Sequence, residues 1–103
     1  MREVCGMARY RARVDANHGD IVTALRSVGA GVQSLAAVGD GCPDLLVAFR
    51  GAWHVLEVKD GTKPPSHRKL TPAEEMWLMR FDELAPVYVV NSADEALEVI
   101  GAT

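Results

Sequence analysis

The sequence predicts a small α/β domain in the order α-β-β-β-α-β-α, with a mixed sheet flanked by helices. Three observations predict it. The apolar runs at 44–49 (DLLVAF), 52–59 (AWHVLEVK) and 86–90 (PVYVV) each end at turn residues within eight positions, as strands do. Thr71-Pro72 with Glu74, and Ser92 with Glu95, are two helix starts of the capping-box type. Arg50-Gly51 is short enough to join the first two runs as a hairpin, and the helix between the last two is a crossover.

Each element has a local cause. The first helix is expected from about Asn17, as N-cap, to Val28. Ile21, Ala24, Leu25 and Val28 form one apolar stripe, and Gly29 and Gly31 end it. Residues 31–38 form the next strand, with Val32 and Leu35 followed by small residues. Gly39-Asp40-Gly41-Cys42-Pro43 is a turn. The two hairpin strands are nearly continuous in apolar residues, which predicts a sheet covered on both faces. Gly61, Pro64 and Pro65 make 60–69 a loop. The second helix runs to about Leu84 and presents Met76, Trp77, Phe81 and Leu84, with Met76 and Trp77 expected in the core. The last helix carries Ala96, Leu97 and Ile100 on its stripe.

A chain of 103 residues supports one core, since area scaling buries about 65% of its unfolded surface. Hydrophobic residues at 49% and charged residues at 24% exclude wholesale disorder. No apolar run reaches the ~18 residues of a membrane span, and the start lacks the apolar centre of a signal peptide. The expectation is a soluble, cytoplasmic protein without a membrane partner. Cys5 and Cys42 have neither CxxC spacing nor zinc-ligand neighbours, and read as plain thiols.

The net charge of −3 is unevenly spread. Residues 1–14 form a basic arm carrying Arg2, Arg9, Arg11 and Arg13, set apart from a domain at 15–103. Arg50, Lys59, Lys63, Arg68 and Lys69 form a second basic stretch, while 82–103 contain acids and no base. A polyanion needs only a local positive patch, so nucleic acid is one candidate partner; a solvated surface is the other reading.

The chemistry concentrates on the third strand. Glu57 and Lys59 are two apart and share a face with Trp53 and Val55. A hairpin at Arg50-Gly51 places opposite each other residues whose numbers sum to about 101, so Asp44 comes near Glu57. Two carboxylates this close would not both ionise without a cation between them. Mg²⁺ suits such a pair, because it takes one or two protein carboxylates and keeps several waters. The competing reading is a structural salt bridge from Lys59 to Glu57 or Asp44.

Pro43-Asp44, twelve intervening residues and Glu57-Val58-Lys59 resemble the signature of the PD-(D/E)xK nuclease superfamily. The wider pattern, Gly41-Cys42-Pro43-Asp44-Leu45-Leu46-Val47 through Leu56-Glu57-Val58-Lys59, is similar to its VRR-NUC branch and small phage relatives. Arg68-Lys69-Leu70-Thr71-Pro72 and Trp77 on the next helix add to the likeness, which spans about residues 15–100. The resemblance implies a minimal restriction-endonuclease-like αβββαβ core with a C-terminal helix, and a phosphodiester-hydrolysing DNA endonuclease. It also implies action in a bacterial host cell, if the chain is phage-encoded.

The resemblance further implies that Asp44 and Glu57 bind Mg²⁺ (or Mn²⁺), with the Val58 carbonyl as a further ligand. Lys59 would orient the attacking water and offset transition-state charge. Relatives often place an acid on the first helix. Asp20 is the match here, either as a metal ligand or as a first-turn acid serving the helix dipole; Asn17, one turn earlier within the apolar stripe, could reach inward with it and is read as a nucleic-acid contact. Relatives carry Gln where this chain has Glu74, which reads either as a phosphate- or water-holding group or as a capping-box acid. Lys63, Arg68 and Lys69 either clamp the phosphate backbone or are solvated.

His54 should face away from Glu57 and pack in the core, and His67 is a minor phosphate contact. Trp53 is read as a core residue in preference to a base-stacking one. Structure-selective cutting of branched or flap DNA is expected, because so short a chain has little left to read bases. Analogy with Holliday-junction resolvases implies a homodimer. Two other classes stay open: a non-catalytic DNA-binding module on the same fold, and an accessory subunit that contacts a protein through its acidic end.

Overall fold

A computed structural model describes residues 16–103; the basic arm at 1–14 and Cys5 lie outside the described residues. In chain order the elements are α1 (Ala16–Ser27), β1 (Gly31–Ser34), β2 (Leu45–Phe49), β3 (Ala52–Val58), a 3₁₀ turn (Pro65–His67), α2 (Pro72–Phe81), β4 (Tyr88–Val90) and α3 (Ala93–Ile100). The chain is therefore α/β, with a four-stranded mixed sheet in the order β1-β2-β3-β4. The first three strands are antiparallel and β4 runs parallel to β3, as the crossover through α2 requires.

The register follows from the hairpin. Arg50 and Gly51 both take positive φ, 48° and 83°, the two-residue loop geometry that matches strand twist. Leu45 then stands opposite Leu56, and Phe49 opposite Ala52, so opposed numbers sum to 101 as the sequence predicts.

Alternation divides the sheet into unequal faces. Leu45, Val47, Leu56, Val58 and Val90 are buried against Ile21 and Leu25 of α1 and Ala96 and Ile100 of α3. Fully burying a side chain of this size is worth about 1.5–3 kcal/mol, so this layer holds the fold together. His54 lies on the same side, half-buried opposite Val47.

The opposite face carries Leu46, Ala48, Trp53, Val55, Glu57 and Val89, and it is not closed as expected. No residue of α2 is fully buried, and Trp53 is 69% exposed. Trp53 and Met76 are therefore not core residues; Trp77 is half-buried, its ring 4.4 Å from that of Phe81. The cause is tertiary. α1 and α3 lie together on one side of the sheet, while α2 meets its other side chiefly through its first turn.

Several boundaries also differ. β1 stops at Ser34 rather than Val38, because the Ala36 N–H turns back to Ser34 Oγ (3.2 Å) and the Val38 N–H to the Leu35 carbonyl (3.0 Å). α2 ends at Phe81, leaving Leu84 exposed, and β4 is a three-residue edge strand of which only Val90 is buried. Helix α1 begins at Ala16, so Asn17 is inside it and is not its cap. Ser92 accepts the Glu95 N–H, but the Glu95 carboxylate reaches past Ser92 to the Asn91 N–H and side-chain amide. Two donors on Asn91 outbid the single cap N–H. No helix among the described residues is long and apolar enough to cross a membrane.

Candidate active site

Asp44 stands immediately before β2, where the chain leaves the turn. Its N–H donates to the Leu56 carbonyl (3.0 Å), and its own carbonyl accepts the Leu35 N–H (2.8 Å). Backbone bonds to both neighbours thus hold the residue, and Pro43 before it is fully buried. The Asp44 Oδ2 accepts the Val58 N–H at 2.7 Å, which turns the carboxylate toward the end of β3.

Glu57 faces it. It is 3% exposed, and it is the only buried charged or polar residue among the described residues. Burial raises its carboxyl pKa, and the Asp44 charge, a hydrogen bond with Asp44 and the nearby Glu74 push it further, to about 9. Without a cation Glu57 therefore carries its proton at neutral pH. Lys59 completes the strand end, with its Nζ 3.6 Å from Glu57 Oε2 and 2.8 Å from Glu74 Oε1. Burial lowers the Lys59 pKa, but the hydrogen bond to Glu74 and the surrounding acids outweigh it, so the ammonium is held charged.

Glu74 enters from α2. Its Oε1 also accepts the Thr71 N–H (2.8 Å), while Thr71 Oγ1 accepts the Glu74 N–H (3.2 Å), a complete capping box. Burial opposes ionisation of Glu74, but the Lys59 ammonium and the Thr71 N–H keep its pKa low. The first turn of α2 is brought to this position by Gly41. At φ 80°, a Cβ there would stand 2.1 Å from the Ala73 carbonyl oxygen, so only glycine permits the approach.

Asn17 acts on the backbone. Its side-chain amide donates to the carbonyls of Lys59 (2.6 Å) and Asn91 (3.2 Å), tying α1 to the ends of β3 and β4. Sequence reasoning placed Asn17 near the site but missed Asn91 and the close approach of Gly61, whose N–H donates to the same Asn91 carbonyl at 2.9 Å. Burial first, and the nearby Asp44 and Glu57 carboxyl groups after it, raise the Cys42 pKa and keep it a thiol.

The remaining candidates are not gathered in the cluster. Asp20 is exposed on α1, and its side chain makes no hydrogen bond or ion pair among the described residues. Lys63, His67 and Lys69 are exposed along the loop between β3 and α2. Arg68 differs: its Nε is the one buried side-chain N or O atom among the described residues without a hydrogen-bond partner. Such an orphan costs on the order of 1–3 kcal/mol, a cost an anionic oxygen would remove.

No protein-family model, curated protein or solved structure matches this chain.

Among the described residues no three His, Cys, Asp or Glu side chains gather to hold a metal ion. The donor set is smaller: the Asp44 and Glu57 carboxylates. That set is hard oxygen only and fits Mg²⁺ or Mn²⁺, which keep waters in their remaining positions. The buried, charge-crowded Glu57 is the observation that a divalent cation would resolve, because it would let both carboxylates ionise.

Proposed function

We propose that this chain is a metal-dependent DNA nuclease of the minimal PD-(D/E)xK type, hydrolysing phosphodiester bonds. The observation that carries the reading is Asp44 meeting the buried Glu57 across the hairpin, with the Lys59 ammonium 3.6 Å from Glu57. A bound Mg²⁺ would supply Lewis acidity to a phosphate oxygen and lower the pKa of a water. Asp44 and Glu57 would hold that ion, with the Val58 carbonyl the further ligand the family resemblance suggests; Asp20, exposed on α1 and outside the cluster, is not among them. Lys59 offsets negative charge as it grows on the phosphate.

The loop from Lys59 to Thr71 supplies the DNA contacts, with Arg68 the foremost. Its buried Nε has no hydrogen-bond partner, which supports a role as donor to a phosphate oxygen. Lys63 and Lys69 flank it as backbone contacts. Branched or flap DNA is the proposed substrate class, following the family resemblance.

The test is a panel of labelled duplex, flap and branched DNAs with Mg²⁺, Mn²⁺ or EDTA. Cleavage should require the metal and fall at least 100-fold in Asp44→Asn and Lys59→Ala, roughly 2.7 kcal/mol of barrier. Cutting that persists in EDTA and in Lys59→Ala would refute the site. A second reading, a DNA-binding module that does not cut, is favoured by one contact: Lys59 is paired to Glu74 at 2.8 Å rather than standing open. Tight binding without turnover under any divalent metal would establish it.

A further inference from the structure

We propose that Glu74 and Thr71 are positioning residues for Lys59, so that the cap of α2 sets the aim of the ammonium. The inference rests on the nuclease reading, in which Lys59 faces the phosphate.

One oxygen carries the argument. Glu74 Oε1 accepts both the Thr71 N–H and the Lys59 Nζ, each at 2.8 Å. A lysine side chain has four rotatable stem bonds, and its ammonium is a point charge that any nearby carboxylate can hold. Glu57 alone, at 3.6 Å, is a loose partner. Glu74 is a better one because its own position is fixed twice, by the Thr71 N–H on its carboxylate and by Thr71 Oγ1 on its backbone N–H. Gly41 fixes the turn as a whole by admitting the Ala73–Glu74 peptide against the loop that leads into Asp44. The ammonium and Asp44 are thus referenced to one piece of backbone.

The same geometry links the basic loop to the site. Residues 60–70 leave from Lys59 and return at Thr71, and Glu74 joins those two ends. A phosphate held by Arg68 therefore pulls on a loop whose exit is the capping box that holds Lys59. This makes Glu74 an inward-facing group, not a DNA contact.

The experiment compares Thr71→Ala, Thr71→Ser and Glu74→Ala with Ser92→Ala in the full chain. Ser92 caps α3 through the same kind of bond, accepting the Glu95 N–H at 3.1 Å, but makes no bond to Lys59. Ser92→Ala therefore reports what the loss of a cap does by itself. Thr71→Ala and Glu74→Ala should lower kcat about tenfold with KM for DNA unchanged, while Thr71→Ser restores it and Ser92→Ala leaves it alone. The NMR signals of the Lys59 ε-methylene should shift in Thr71→Ala and Glu74→Ala only.

Equal kcat losses in Thr71→Ala and Ser92→Ala would overturn the proposal, as would unmoved Lys59 signals. If the wild-type chain cuts no DNA with any divalent metal, the nuclease reading falls, and the NMR arm still decides whether the cap holds the lysine.

Discussion

At the scale of single residues, Glu57 is the least comfortable group in the molecule. A carboxyl that burial and Asp44 push up to about 9 binds a proton that the unfolded chain releases near its ordinary value of 4.5. The folded state then holds more protons between those two values, so in EDTA the stability this group contributes is lost as pH rises from about 4.5 to 9. Urea midpoints across that range should fall in the wild type and fall less in Glu57→Gln, which keeps the neutral shape. Parallel slopes would remove Glu57 as the cause. Gly41 gives a second residue-scale expectation. Gly41→Ala places a Cβ 2.1 Å from backbone, at a positive φ as well. Thermal unfolding should show at least ~2 kcal/mol of destabilisation, more than the ~1 kcal/mol that backbone freedom alone explains.

Among elements, the hairpin was the most legible and α2 the least. The pairing of Asp44 with Glu57 needs only strand period and a two-residue turn, both local, and the observed register of 101 agrees with it. Glu74 was legible as a capping acid, because the Thr71-to-Glu74 spacing is local too. That its carboxylate also holds Lys59 was not, since no sequence period states where a crossover helix sets down its first turn. Asn17 shows the same division. Its place on α1 is a matter of helical phase, but its bond to Lys59 spans 42 residues and depends on how α1 crosses the sheet. The open face around Trp53 is a further case. Two nearly continuous apolar strands predict burial on both sides, and here the helix available for the second side is tethered to the site rather than laid across the sheet.

For the molecule as a whole, the site joins the ends of β2 and β3 to the start of α2, with α1 braced behind through Asn17. Cation binding there should stabilise the fold, because only the folded chain brings Asp44 and Glu57 together. At a concentration 100 times its Kd, Mg²⁺ would add about 2.7 kcal/mol. For a domain of this size that is a rise in Tm of roughly 10–20 °C. Asp44→Asn should lose most of the rise, and differential scanning fluorimetry in Mg²⁺ against EDTA measures it directly. An unchanged Tm at saturating Mg²⁺ and Mn²⁺ would argue against any metal site in this cluster.

The order of elements, the hairpin register, the caps at Thr71 and Ser92 and the approach of Asp44 to Glu57 are all written in the residue pattern. All of these follow from interactions within a turn or between two adjoining strands. Which sheet face is closed, the clasp of Asn17 on the Lys59 carbonyl and the hold of Glu74 on the Lys59 ammonium come from the packing of the folded chain. Those contacts join distant segments, and their geometry comes from how layers pack, which residue spacing along one chain does not encode.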